Sequence, residues 1–399
     1  MKILQLCHKP PFPAVEGGAI AMASLATGLC KNNHQVDILA MNTYKQRCNP
    51  NKVNQYLEKV NSYHLVEVDI QLKIKDAFFN LFSSESYNIS RFKSHEFEKR
   101  LIRLINETKY DAIIFESLFT SPYIQVVRHL FHGPIILRSH NVEFNIWKSL
   151  SKNELNPLKK HYLKILAKRL KKYELKTISK FDLVASISKT DILEFEKNSI
   201  TIPMIHLPFG IDMKKYDFQI NENYKVKIYH IGSMNWIPHQ EAFRWFFDSV
   251  NNQLNVLRDQ LEIHLAGTGM PKWMVSKSNE NTFILEGFQD GFHFSADKDI
   301  MIVPSFSGSG IRIKIIEAMA LGKTILTTNN GAMGIDCTHG LNIFISDDPK
   351  EWGSIINNLV TNSTKRLEVG RQARIFCETN HDYINNAKLL SNEIEKRIK

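Results

Sequence analysis

One local pattern occurs twice along this chain, and it restricts the fold more than any other feature. Residues 2–7 form a short apolar run, a Pro/Gly-rich loop follows up to Gly18, and an apolar-periodic stretch then covers 19–31. The pattern restarts at 226–231, where an apolar run meets Gly232, a loop, and a helical stretch around 240–251. Short apolar runs bounded by turn residues read as buried strands, and apolar residues three or four apart read as helices. Ile20, Leu25 and Leu29 supply such a face, and Asn32-Asn33 supplies a stop. Further strands are expected at 36–41, 112–115, 135–138 and 183–186, then at 261–266, 282–285, 300–303, 324–327 and 342–345. Helical segments lie between them, the alternation of a parallel sheet.

A chain of 399 residues exceeds what one core usually serves. The expectation is therefore an α/β protein with two doubly wound, Rossmann-like domains. The first spans 1–206 and the second 207–380, with a C-terminal helix at 381–399 placed to pack back on the first. The link at 207–222 holds the turn-like Pro208-Phe209-Gly210. In such sheets ligands bind beyond the carboxyl ends of the strands, so a cleft between the domains is the expected site.

The composition, 43% hydrophobic and 23% charged, is that of a globular chain. Five scattered cysteines (Cys7, Cys30, Cys48, Cys337, Cys377) show neither metal-ligand nor redox spacing and read as reduced thiols. The first apolar run is too short for a signal peptide, and no stretch reaches the ~18 apolar residues of a membrane span. A cytoplasmic location, with peripheral attachment to the inner face of a membrane, is the expectation. The net charge of +10 suits an anionic partner.

The most informative stretch is 304–328, PSFSGSGIRIKIIEAMALGKTILTT. A strand ends at Val303, a small-residue loop follows, and a helix is expected from about Ile311. Glycines let a ligand approach the backbone, and exposed N–H groups at a helix start favour an anion. Arg312 and Lys314 fall in the expected first turn, where they oppose the helix dipole unless an anion is bound.

This segment resembles the donor-binding motif of the family 4 retaining glycosyltransferases (glycosyltransferase group 1), which have the GT-B fold. It is most similar to the branch reading GSG-x-R-x-K-x-x-E-A-M-A-x-G. The resemblance implies a nucleotide-diphosphate sugar donor, UDP- or GDP-linked, with no required cofactor and no metal. It implies that Glu317 contacts the donor ribose, that Gly308, Ser309, Gly310 and Ile311 line the donor, and that Arg312 and Lys314 stabilise the departing diphosphate. Ser309 stands where relatives carry the first glutamate of a spaced pair. The segment 231–246, IGSMNWIPHQEAFRWF, resembles the branch's Gly-x-x-x-Trp-x-Pro-Asn loop, which places Gly232, Asn235 and Trp236 at the donor, with His239 at the usual Asn.

In the first half, PPFPAVEGGAIAMASLATGL is similar to the family's acceptor-side glycine loop, implying backbone contacts at Gly17 and Gly18. LRSHNVEFNIW, residues 137–147, resembles the branch's Arg-x-His-Asn-x-Glu sequence. It implies a catalytic contact from His140 to the donor sugar and supporting contacts from Arg138, Asn141 and Glu143; Glu143 could equally cap the helix that follows.

A basic run at 157–176 opens with Asn156-Pro157, a good helix start. Leu158, Tyr162, Leu166, Leu170 and Tyr173 share one stripe, and lysines fill much of the rest. Such a helix is either a solvated face or an electrostatic dock on an anionic leaflet. The implied reaction is sugar transfer to an acceptor hydroxyl on a glycan or lipid-linked substrate, in envelope polysaccharide or glycolipid synthesis. A silent nucleotide-binding scaffold subunit and a GT-B-fold sugar-nucleotide epimerase are the alternatives. Nucleic acid is not an expected partner, because no finger, RNP or helix-turn-helix signal accompanies the charge.

Overall fold

The computed structural model of the chain describes residues 1–71, 80, 86–218, 224–279, 283–287, 290–308 and 310–398. Two compact units result, one from Met1–Gly210 with Tyr383–Lys399 and one from Ile211–Asp382.

The first domain holds seven parallel strands: β1 (Lys2–Cys7), β2 (Gln35–Asn42), β3 (Ser62–Glu67), β4 (Ala112–Glu116), β5 (Ile135–Ser139), β6 (Leu183–Ser186) and β7 (Met204–His206), in the order β3-β2-β1-β4-β5-β6-β7. β1 is central, pairing Lys2 with Gln35 on one side and Ile3 with Ala112 on the other. Alternate strand residues serve opposite faces. Leu4, Leu6, Ile113 and Phe115 pack in one apolar cluster, and Ile3, Cys7, Ala112 and Ile114 in another. A sheet buried on both faces needs near-continuous apolar strands, and these sequences supply them.

Helix α1 (Gly17–Lys31) covers one face. It begins two residues earlier than its apolar pattern, so Gly17 and Gly18 form its first turn and do not precede it. The other helices that matter here are α2 (Glu143–Asn153), α3 (Pro157–Ile178), α4 (Ile237–Trp245), α5 (Ile313–Ala320) and α6 (Tyr383–Glu395). α6 packs on α1 at Gly28, where a Cβ would fall 2.4 Å from the Tyr383 carbonyl oxygen. Asn32 fixes the pair by donating to the Ile384 carbonyl at 2.9 Å. In α3 the Asn156 side chain accepts from the Lys159 amide, and Leu166 and Leu170 are buried. Leu158 departs from the expected stripe: it is 83% exposed, in a first turn whose residues 157–159 are all exposed.

The second domain holds β8 (Val226–Ile231), β9 (Leu261–Ala266), β10 (Phe283–Glu286), β11 (Ile300–Val303), β12 (Thr324–Thr327) and β13 (Phe344–Ile345), ordered β10-β9-β8-β11-β12-β13 and all parallel. Thr282, in the strand expected at 282–285, lies outside the described residues, as do Ser309 and 219–222 of the expected link. α4 starts at Ile237, earlier than its apolar pattern, because Pro238 is suited to a first helical turn. α5 starts at Ile313, later than expected. Gly310 has φ +86° and Arg312 has φ −83° and ψ 87°, neither of them helical. β13 is shorter than the expected run because Asn342 closes a turn, its side-chain oxygen accepting from the Thr338 amide at 2.8 Å.

Candidate active site

Each sheet has a switch point, where neighbouring strands send the chain in opposite directions and open a crevice at their carboxyl ends. In the second domain it lies between β8 and β11, and the loops leaving these strands carry most of the motif residues.

After β8, Gly232 sits so close to its neighbours that a Cβ would fall 2.6 Å from Lys314 Nζ and 2.9 Å from the His239 ring. Lys314, the second residue of α5, donates to the Ile231 carbonyl at 2.7 Å and faces His230 Nε2 at 3.4 Å. His230 is fully buried, and its Nδ1 is 2.7 Å from the Ile302 carbonyl. A carbonyl only accepts, so Nδ1 carries the proton and Nε2 turns its lone pair toward the lysine. Burial, then the Lys314 charge, hold His230 neutral by pushing its pKa far down. Burial also brings Lys314 down to about 7, with Arg312 adding to the effect and Glu317 opposing it.

Arg312 stands at the cap of α5, just ahead of the first turn where the sequence placed it. Its guanidinium donates to the Gly310 carbonyl at 2.6 Å, to Ser305 Oγ at 3.1 Å and to the Ser307 carbonyl at 3.2 Å. The side chain thus folds its own loop into shape as well as bringing charge. Gly308, with φ +92°, meets Trp236 of the β8 loop, where a Cβ would lie 3.0 Å from the indole. Asn235 lies against Gly269 of the loop after β9. Ile311 bridges Gly310 and Arg312 and is partly exposed. Glu317 accepts from the Tyr216 hydroxyl at 3.1 Å, and its pKa is raised because burial outweighs that bond and the Lys314 charge.

In the first domain the corresponding switch point lies between β1 and β4. Glu116 ends β4 fully buried and gathers three side chains from other strands or the loops after them. Gln5 donates to one oxygen at 2.7 Å, Arg138 stands 3.6 Å from it, and His140 Nε2 lies 2.6 Å from the other. The Arg138 and His140 charges, with Gln5, hold Glu116 ionised despite its burial. Arg138 is 2% exposed and donates to the Ala21 carbonyl of α1 at 2.8 Å. It therefore braces the helix against the sheet. Glu143 is likewise buried. Its carboxyl is pushed up to about 7 by desolvation, aided by Asp191 and opposed by Asn141. It does not cap α2; Glu174 of α3 does, accepting from the backbone amides of Glu143 and Phe144 at 3.0 and 2.9 Å. His140 and Asn141 are the members of this sequence that keep partial exposure beside the strand ends.

Sequence reasoning missed His8, which follows β1 directly. Its Nδ1 is 3.2 Å from the Glu116 carbonyl, and its ring stands edge-on to His140 with centroids 6.2 Å apart. Burial, then the Lys9 and His140 charges, bring its pKa down to about 3. At Gly18 a Cβ would fall 2.9 Å from Lys9 Nζ, so the bare glycine lets this cation, paired with Glu16, lie over the start of α1. His8 was findable, since it is a histidine directly after the carboxyl end of a central strand. Tyr216 carried no such signal. Among the described residues, no group of three or more His, Cys, Asp or Glu side chains is arranged to hold a metal ion, and no helix is long and apolar enough to cross a membrane.

The architecture is that of the GT-B glycosyltransferases, and residues 225–362, most of the second domain, match the family model described as Glycosyl transferases group 1. HepE from Anabaena, solved in complex with UDP, shares the fold with a TM-score of 0.68 at 14% identity, covering 99% of this chain and 100% of that one. Along the sequence, the chain is 24% identical over 396 residues to an uncharacterized 44.6 kDa protein in the cps region of Klebsiella pneumoniae, covering 96% of each. It is 23% identical over 394 residues to an uncharacterized glycosyltransferase of Methanocaldococcus jannaschii, covering 92% of this chain and 91% of that one.

Proposed function

We propose that this chain is a retaining glycosyltransferase of the family 4 type, moving a hexosyl group from a nucleotide-diphosphate sugar to a glycan or lipid-linked acceptor hydroxyl. The observation that carries the reading is the convergence of Lys314, Arg312 and two glycine-bearing loops at the β8/β11 switch point. Two cations stand at a helix start there, and Glu317 of the same helix accepts from the Tyr216 hydroxyl. A diphosphate is the kind of anion that such a helix start and its cations favour. As the bond to the anomeric carbon breaks, negative charge grows on that diphosphate, and a preorganised cationic site favours this change. Glu317 is assigned to the ribose, the loops at Gly232 and Gly308 to the donor backbone, and His140 with Asn141 to the transferred sugar from the first domain. HepE was solved with UDP-glucose as well as UDP, which favours a uridine donor over a guanosine one. The cps location of the Klebsiella relative favours envelope polysaccharide synthesis.

A thermal-shift panel of UDP, GDP, ADP, CMP and dTDP, with their sugar conjugates, tests this directly. A ligand at about 100 times its Kd adds ~2.7 kcal/mol, a shift of several degrees. One diphosphate should stabilise selectively, and Glu317→Ala should remove that shift while the unliganded protein still melts cooperatively. A flat panel would leave the fold and favour the silent-scaffold alternative.

The reading also includes docking on the inner face of an anionic membrane. The α2–α3 hairpin tip exposes Leu150, Leu155 and Leu158, with Leu155 95% exposed, beside the exposed Lys152 and Lys159 and the lysine run of α3. Leucines enter the acyl boundary and lysines meet the headgroups, each worth about 1 kcal/mol. Sedimentation with phosphatidylglycerol vesicles should capture the protein, and a Leu155→Ser, Leu158→Ser double variant should bind about tenfold more weakly. Equal capture by phosphatidylcholine vesicles would count against the electrostatic part, and no capture by either would end this proposal.

A further inference from the structure

A second polar locus lies in the first domain, in the segment leading to Phe92. Tyr87–Ser90 make a single helical turn, and Arg91 continues in helical backbone geometry. Asn88 and Arg91, three apart, therefore share one face of the turn. Asn88 is 1% exposed, yet among the described residues neither its amide nitrogen nor its oxygen has a partner, and the Ser86 hydroxyl and Arg91 Nε are buried and unpartnered among them too. Arg91 makes no hydrogen bond or ion pair among the described residues. Burial lowers its pKa, and the ionisable neighbours it feels are the hydroxyls of Tyr44 and Tyr87. Its guanidinium rests on the Phe92 ring, 5.3 Å from the centroid.

Unpaired buried polar groups are uncommon in native proteins, and several within six residues call for a ligand. The position is not a loose loop. Tyr123 pins it, donating to the Phe92 carbonyl at 2.8 Å and accepting from the Ser94 amide at 2.8 Å. A chain of ring contacts joins it to the site above: Phe92 stacks on Phe119 at 4.7 Å, Phe119 meets His8 at 5.7 Å, and His8 meets His140.

We infer that Ser86, Asn88 and Arg91 form an oxyanion subsite that holds a carboxylate or phosphate carried by the acceptor glycan, with the aromatic strip from Phe92 to His8 supporting the sugar beside it. The inference rests on the transfer reading proposed above. A guanidinium fork and a primary amide donate together to a planar carboxylate or to two phosphate oxygens, the geometry in which arginine binds best. The excess of positive charge on the whole chain draws the same class of ligand.

The test uses the full chain labelled with 15N-arginine, with the Arg91 Nε–H resonance assigned by its loss in Arg91→Lys. Glucuronate and inorganic phosphate serve as probes and glucose as the neutral control. The Arg91 resonance should shift saturably with one of the two anions and stay still with glucose, and the stronger anion tells carboxylate from phosphate. Asn88→Leu removes an unpaired amide without leaving a void, so it should keep or raise Tm while weakening that anion about tenfold. An Arg91 signal silent to both anions at about 50 mM, or an Asn88→Leu affinity equal to the parent's, overturns the subsite. UDP added to the same sample is read at Arg312. Movement there with Arg91 silent to both anions defeats the subsite alone. The reverse pattern defeats the donor reading, and with it the acceptor role given to this anion site.

Discussion

Replacing Lys314 with methionine is expected to weaken binding of the preferred nucleoside diphosphate about a hundredfold in calorimetric titration. An ammonium bonded to a phosphate oxygen is worth about 1.5–3 kcal/mol, more than a neutral pair provides. The pH dependence is more diagnostic than the loss itself. Burial holds the free side chain near 7, whereas a bound diphosphate favours its charged form. Below about pH 7 the lysine is already protonated and affinity is level. Above it, binding must first take up a proton, so Kd should rise up to tenfold per pH unit between 7.5 and 9, where the phosphate is past its own pKa of about 6. Lys314→Met should flatten that slope. The same substitution should raise the melting temperature of the unliganded protein at pH 7. A folded-state pKa below the unfolded one penalises the folded state fully at and below pH 7, and the penalty fades as pH climbs toward 10.5. A parent protein whose affinity is level from pH 7.5 to 9 would remove Lys314 from the phosphate site.

The largest loss of stability is expected from Glu116→Ala. That carboxylate is the common partner of Gln5, Arg138 and His140, and among the described residues it is the carboxylate that Arg138 pairs with. Truncation leaves a guanidinium buried without a counter-charge, an arrangement that costs about 3–5 kcal/mol. For a domain of this size the first transition in a melting scan should drop by roughly 10 °C. Glu116→Gln keeps the shape and one acceptor oxygen and should fall between the two. A Glu116→Ala protein melting within about 2 °C of the parent would show that the network contributes little.

Much of this was legible in the sequence because the central strands are short, apolar and punctuated by glycine. β9, β11 and β12 have the bounds their apolar runs predict. The donor-side loops were legible for the same reason: Gly232, Gly308 and Gly310 sit where side chains crowd the backbone or φ turns positive, which only glycine tolerates cheaply. What sequence could not give was the direction of buried charge. Arg138 and Glu143 lie in the same short motif as His140, yet the pleat and the first turn of α2 send them inward. The partners that hold this motif, Glu116 and Glu174, come from strands and helices 22 and 31 residues away from Arg138 and Glu143 in numbering. No local periodicity announces such pairs. His230 was hidden by its neighbours, since one histidine in an apolar strand reads as core until Lys314 is seen against it.

The return of α6 to α1 also sets an order of events during synthesis. The first domain comprises Met1–Gly210 and Tyr383–Lys399, with the whole of Ile211–Asp382 made in between. At ~5–20 residues per second, a ribosome needs on the order of ten seconds or more to make that intervening part. Throughout this interval Ala26, Leu29 and the other apolar residues that later meet Ala387, Leu390 and Ile394 lack their cover. The nascent first half is therefore an incomplete body with an open greasy flank, while the second domain already has every residue of its own core. The domain that starts first finishes last, and its waiting surface is where a chaperone would find this chain.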